Sequence, residues 1–361
     1  MKQACPTGGP RGDTRRLEGH EHRSNPDASE KLTTIIPPVV SGDGALDWLL
    51  TSKDPSVRYL TLTEVLAESP RSRVAREARA AIPAGPRVRA LLKGQRRDGG
   101  FGVHPYSKWR GAFWRLVSLV ELAIPPHHPP ALAALEEVLG WLTSPERNRS
   151  IRAVNGLVRQ HATGEGYALA VACRLGVVRD SRVRSLVDSI LRSQWPDGGW
   201  NCDPRPTVTH SSFHETIGPL WGLIEYTKAT EDHTAREAAD RSAQFLLAHG
   251  LFRSHRTGQV SHPEFIKLHY PPYWHFDVLW GLLVLSRFEK LGDPRATEAL
   301  DLLEAKRGSD GRWGVDGRAY WRSPGVEGSN VEVVDWRGGG AKEMVTLNVL
   351  RVLRAAGRLL L

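Results

Sequence analysis

One phrase recurs along this chain. It reads Gln95-Arg-Arg-Asp98-Gly-Gly-Phe101 and again Gln194-Trp-Pro-Asp197-Gly-Gly-Trp200, with a worn third copy at Arg307-Gly-Ser-Asp310-Gly-Arg-Trp313. Each copy follows one apolar helical stretch and precedes another. Repetition of this kind constrains architecture strongly, because each unit must bury its apolar face against its neighbours. Asp-Gly-Gly supplies a tight turn with a residue at positive φ. The aromatic can fold back over the turn, and the Gln can bond backbone groups left open at helix ends. We therefore expect a staple between outer and inner helices, with Asp98, Asp197 and Asp310 in structural roles.

The stretches between the copies have helical periodicity. Ala131–Leu142, Val183–Leu191, Ala235–Leu247 and Ala296–Leu303 are amphipathic. The segments around Trp114–Leu122, Tyr167–Cys173, Ile217–Tyr226, Val278–Leu285 and Val345–Leu353 are apolar nearly all round. A helix apolar on every side must be buried on every side, whereas an amphipathic one lies outside it. Strand signals are nearly absent. The alternation predicts an all-α protein, an α/α toroid of about five to six helical hairpins wrapped in two concentric rings. Residues 1–40 are rich in Gly, Pro, Arg and Ser and predict a disordered leader. Residues 41–361 predict a single domain.

The repeated phrases resemble the QW repeats of squalene–hopene cyclases and the wider prenyltransferase and squalene-oxidase repeat group. The resemblance runs over about residues 45–361 through spacing and hairpin rhythm. It implies a terpenoid-cyclase-like α/α toroid and an isoprenoid-like substrate. The chain departs from that group in three ways. It has no DxDD motif, the acid of class II cyclases, and no DDxxD motif, the magnesium–diphosphate site of class I enzymes. It also carries one ring's worth of helices, where triterpene cyclases have two α domains.

Bulk properties narrow the function. The chain has 361 residues and 12 tryptophans, enough for a sizeable core. It has no apolar run near the ~20 residues that span a bilayer, and no apolar signal segment near its start. Three cysteines make no disulfide framework. A cytoplasmic protein is the expectation. The formal charge of +9 is mostly arginine. It suits an anion or a peripheral membrane contact, and no nucleic-acid motif accompanies it.

In a double ring, the first turns of the inner helices converge on one mouth. The second copy runs straight into Asn201-Cys202-Asp203, then His210-Ser-Ser212-Phe213-His214-Glu215. Ser212 and Glu215 have the spacing of a capping box, which starts a helix there. Tyr270-Pro271-Pro272-Tyr273-Trp274-His275-Phe276-Asp277 starts the next inner helix, with His275 and Asp277 in its first turn. Cys202, Asp203, His214 and His275 are thus candidate ligands of a Zn2+ with an open position. The prenyltransferase β subunits bind zinc through similar residue types, though their Asp-x-Cys spacing is missing here. Without metal, Asp203 or Asp277 could serve as a general acid, assisted by His214, Glu215 or His275. Trp109, Trp114, Trp221, Trp274 and Trp280 are candidate walls for an apolar substrate, with Arg110 and its neighbours Lys108 and Arg205 as anion contacts. The expected function is a soluble terpenoid cyclase- or prenyltransferase-like enzyme acting on an apolar, isoprenoid-like substrate in the ring cavity; the alternatives are a zinc-dependent lyase, hydrolase or thiol-activating enzyme, and a non-catalytic binding toroid.

Overall fold

The computed structural model describes residues 44–149 and 151–359. The expected leader 1–40 lies outside them. The protein is all-α, with one short hairpin, Arg152–Val154 against Leu157–Arg159. In chain order the helices are α1 (Gly44–Leu50), α2 (Pro55–Leu60, continued by a π-helical turn at Thr61–Val65), α3 (Arg73–Ala81), α4 (Pro86–Leu92), α5 (Ala112–Glu121), α6 (Pro129–Leu142) and α7 (Pro145–Arg149). They continue with α8 (Ala162–Arg174), α9 (Ser181–Ser193), α10 (Phe213–Thr230), α11 (His233–Ala248), α12 (Val278–Ser286), α13 (Thr297–Ala305) and α14 (Gly340–Ala355).

The two helix types sort as their sequences require. α5 is buried at every residue, and α8, α10, α12 and α14 over most of their length. The amphipathic α4, α6, α9, α11 and α13 bury one face each. Successive inner helices pack side by side, α5 on α8, α8 on α10, α10 on α12 and α12 on α14, and α14 returns to α2. The ring closes through polar bonds as well. Arg351 pairs with Glu64 at 2.6 Å, and Arg87 pairs with Glu343.

The repeated phrase does the stapling, with a different reach than expected. Gln95 Nε2 donates to its own turn at Gly99 O (2.9 Å) and forward to Pro130 O (2.7 Å) in the first turn of α6. Gln194 Nε2 does the same with Gly198 O (2.9 Å) and Ala238 O (2.9 Å) of α11. The Gln therefore joins consecutive outer helices. The aromatic makes the inner connection: the Trp200 and Trp313 backbone N–H groups donate to Thr216 and Thr346 Oγ1 on α10 and α14. In the worn copy Arg307 replaces the Gln and still bonds Gly311 O, four residues on (3.0 Å). Gly99, Gly198 and Gly311 have φ of 85°, 96° and 75°, which explains the invariant glycine of the phrase. Asp197 accepts from Ser211 N (2.7 Å) and Ser211 Oγ (2.5 Å), tying the turn to the segment before α10.

Aromatic side chains fill the axis of the ring. Trp109 stacks on Tyr273 at 3.8 Å and meets Trp114 edge-on at 4.9 Å. Tyr167 meets Trp221 and Trp280, and those two indoles cross at 5.4 Å. The space between Tyr167, Tyr273 and Trp280 amounts to about 10 Å³, room for roughly one water. Charged groups gather where the inner helices end: Arg287 with Glu121 (2.8 Å) and Arg174 with Glu225 (2.8 Å). No helix among the described residues is long and apolar enough to cross a membrane.

Candidate functional site

α10 begins at Phe213 with Ser212 as N-cap, where the capping-box spacing puts it. The box itself does not form, since the Ser212 side chain makes no cap bond. The Glu215 carboxylate turns instead toward α8. Its Oε2 accepts from the Thr163 backbone N–H (3.0 Å), and its Oε1 lies 3.3 Å from His161 Nδ1. The Thr163 hydroxyl donates to the His214 carbonyl, so one residue holds both sides of this helix start. Cys202, on the unrepeated tail of the second phrase, completes the group. Ligand atoms of His161, Cys202 and Glu215 all lie within 4.8 Å of one another. They come from three separate segments: the residue before α8, the loop after the second turn, and the first turn of α10. An isolated bridge between Arg159 and Asn201 sets the first two side by side.

The electrostatics of the trio follow from this packing. Burial and the neighbouring Glu215 carboxylate push the Cys202 thiol up. Burial also opposes ionisation of Glu215, but the hydrogen bond from His161, the Thr163 N–H and the Cys202 thiol outweigh it and hold the carboxyl below its usual range. The hydrogen bond to Glu215 raises the pKa of His161, whose ring is mostly exposed to solvent. A nucleophilic cysteine needs a lowered pKa and a base beside it. Here the carboxylate stands between thiol and imidazole, and the thiol is kept protonated. A metal held by these three residues would take the place of the shared protons.

The other expected residues are placed differently. His214 shares the mouth, but its Nδ1 accepts the Phe276 backbone N–H (2.8 Å). Burial holds its pKa down to about 4, so the ring is neutral with its proton on Nε2. That tautomer has no lone pair for a metal, which corrects the expectation of His214 as a ligand. His275 lies before α12 instead of in its first turn, packed between Trp274 and Tyr320. Burial pushes its pKa down to about 2. Asp277 is the N-cap of α12. Its Oδ1 accepts from Trp280 N (2.7 Å) and its Oδ2 from His269 N and Nδ1 (both 2.9 Å). These bonds occupy both oxygens, and the residue is 1% exposed. Asp203 is clasped by Arg205, whose hydrogen bonds hold its carboxyl below the usual range. A general acid needs the opposite shift, so Asp203 does not fit that role, and Asp277 has both oxygens committed to the Trp280 and His269 donors.

Trp109, Trp114, Trp221 and Trp280 are buried in the axial packing, while Trp274 stays half-buried at the mouth under the Lys108 ammonium (4.9 Å). Arg110 is exposed, and its carbonyl accepts from Arg115. Two residues escaped the sequence reading. His161 precedes α8 as Cys202 precedes α10, and the rule that inner-helix starts converge, applied to α8, points to it. His269, held between Asp277 and Glu264 (3.1 Å), had no local signal.

No protein-family description matches the chain, and no curated protein matches it. Among solved structures it is similar to a protein from Actinoplanes, with 17% identity over 87% of this chain and 98% of that one and a TM-score of 0.42. It is also similar to the type II terpene cyclase MstE from Scytonema, solved with its substrate geranylgeranyl dihydroxybenzoate, with 16% identity over 84% of this chain and 87% of that one and a TM-score of 0.39. Likenesses at this level carry no argument about chemistry.

Proposed function

We propose that this protein is a zinc-dependent enzyme whose metal is held at the mouth of the ring by His161, Cys202 and Glu215. The observation that carries this reading is the convergence of one imidazole, one thiol and one carboxylate oxygen within 4.8 Å. Mixed N, S and O donors suit zinc, and three protein ligands leave one tetrahedral position open. Bound there, zinc supplies a lowered pKa to a water or a substrate thiol. The reaction class is then hydrolysis, elimination or thiol activation. Thr163 orients Glu215 through its N–H. His214 contributes a neutral N–H donor from the same turn of α10. The half-buried Trp274 and Lys108 offer an apolar face and a positive charge to a substrate at the mouth.

Metal analysis of protein purified without chelator tests this reading directly. One zinc per chain is expected. Cobalt loading should produce a thiolate-to-metal charge-transfer band that Cys202→Ser removes. Wild-type protein that binds neither metal above background would sink the proposal.

The aromatic axis favours a second reading, an isoprenoid-like substrate inside the ring. With about 10 Å³ free there, it requires the Trp109–Tyr273 stack to part. Lipid extraction of the purified protein tests it: a co-purifying isoprenoid supports it and a clean extract counts against it. A bound metal or lipid with no turnover would leave the third function, a binding toroid.

A further inference from the structure

The long segment between α13 and α14 crosses the mouth as a strap. It is pinned by Trp109 Nε1 to Tyr320 O (3.1 Å), by Trp321 Nε1 to Tyr270 O (3.1 Å), and by Arg318 N to Glu264 Oε2 (2.9 Å). Beneath it lies a cavity of about 130 Å³, which His161, Cys202 and Glu215 do not line. Tyr270, Tyr320, Trp321 and Trp336 form its walls. Tyr270 and Trp336 meet edge-on at 4.8 Å, and Trp321 is bonded to the Tyr270 carbonyl, so the walls are set before any ligand arrives. The arginines at its edge are Arg318 and Arg337; His269, bonded to Asp277 and Glu264, also lines it, and no Asp or Glu does among the described residues. Arg337 is engaged by Asp335 (2.9 and 3.0 Å). Arg318 lies 5.9 Å from the Tyr320 ring and forms no salt bridge among the described residues.

From this arrangement we infer that the cavity is a binding site for a small apolar carboxylate, its hydrocarbon part between the aromatic walls and its head on Arg318. A volume of about 130 Å³ limits the apolar part to a short branched chain or a single ring. A planar guanidinium can take both carboxylate oxygens, whereas a neutral amide of the same shape gains no charge-assisted bond.

The test uses isovalerate against isovaleramide, in the Cys202→Ala protein so that no carboxylate can report on a metal. Trp321 and Trp336 line the cavity, so tryptophan fluorescence should report occupancy. Saturable binding of isovalerate is expected, at least about tenfold tighter than the amide, the size of one bond to a charged group. Arg318→Gln should weaken isovalerate about tenfold and leave the amide unchanged. Val315 lines the cavity from an exposed position, so Val315→Trp should block both ligands without disturbing the core. Equal binding of acid and amide, unchanged affinity in Arg318→Gln, or no saturable signal from isovalerate would each overturn the assignment. The zinc proposal would be untouched, because the measurement is made without its thiol ligand.

Discussion

The backbone N–H of Phe276 donates to Nδ1 of His214 at 2.8 Å, across the gap between the start of α10 and the approach to α12. An amide N–H is always a donor, so it fixes the role of the ring nitrogen it meets. Burial keeps His214 neutral down to about pH 4. Its proton therefore sits on Nε2 throughout the physiological range. Long-range proton–nitrogen correlation spectra should find the Nε2–H tautomer of His214 unchanged from pH 8 to pH 5. An Nδ1–H tautomer would contradict the geometry.

The same bond separates His214 from the proposed metal ligands. Second-sphere changes at zinc sites typically cost about 10–100-fold in affinity, and loss of one of three ligands should cost more. Cys202→Ser, Glu215→Gln and His161→Ala should each lose bound zinc at equal chelator concentration. His214→Gln should keep it. Because the Cys202 thiol is pushed up by burial and by Glu215, zinc uptake should weaken as the pH falls. Zinc content that responds to His214→Gln and not to Cys202→Ser would reverse the assignment.

Glu332 gives a pH dependence of stability. It is 2% exposed, and burial pushes its pKa up to about 7. Its Oε1 accepts from Val333 and Val334 N–H, while Oε2 has no hydrogen-bond partner within bonding distance among the described residues. A raised carboxyl pKa means that the folded protein holds the proton more tightly than the unfolded chain. This contribution is complete below the ordinary glutamate value and is lost as the pH rises to about 7. Glu332→Gln should therefore melt higher than wild type at pH 8, with the difference shrinking toward pH 4.5. A gap that grew toward acid would show the opposite sign.

Helices α8 and α10 approach so closely that Gly166 has no room for a side chain. A Cβ there would run into the backbone of Gly218 and Pro219, and one at Gly222 would strike the Gly166 carbonyl. Gly166→Ala should destabilise by about 1–3 kcal/mol or more, since backbone cannot yield as a side chain can. A melting temperature within a degree of wild type would mean that the two helices move apart at little cost.

The two amide protons of Gln194 serve three acceptors within reach, Gly198 O, Ala238 O and Ser242 Oγ, and its carbonyl accepts from Arg241. Gln194→Ala removes the bonds to the Gly198 and Ala238 carbonyls, only one of which the single Ser242 hydroxyl proton can still serve, and should cost about 1–3 kcal/mol. Arg307→Gln should be tolerated, because Gln already makes the equivalent bond in the other two copies. Denaturant melts of the pair provide the comparison.

Much of this architecture is written locally. Apolar residues at every position of Val278–Leu285 demand burial on all sides, and one-sided patterns such as Val183–Leu191 demand an outer place. The repeated turn needs only Asp, Gly and an aromatic at fixed spacing. The start of α10 at Phe213 was equally plain from Ser212. Periodicity and turn chemistry act over a few residues, so a chain carries them whether folded or not.

The site is different. Glu215 had the spacing to cap its own helix and instead bonds Thr163, which is 52 residues away. His161 carries no motif, yet it meets Cys202 and Glu215 because a bridge sets Arg159 beside Asn201. Asp277 and Asp203 looked like candidate acids, and what disqualified them was a partner, His269 for one and Arg205 for the other. The tryptophans had the composition of a cavity wall, yet packed against one another they fill the axis. A side chain's chemistry depends on what surrounds it, and in a ring closed by its last helix those surroundings come from distant parts of the chain. Folding alone brings them together.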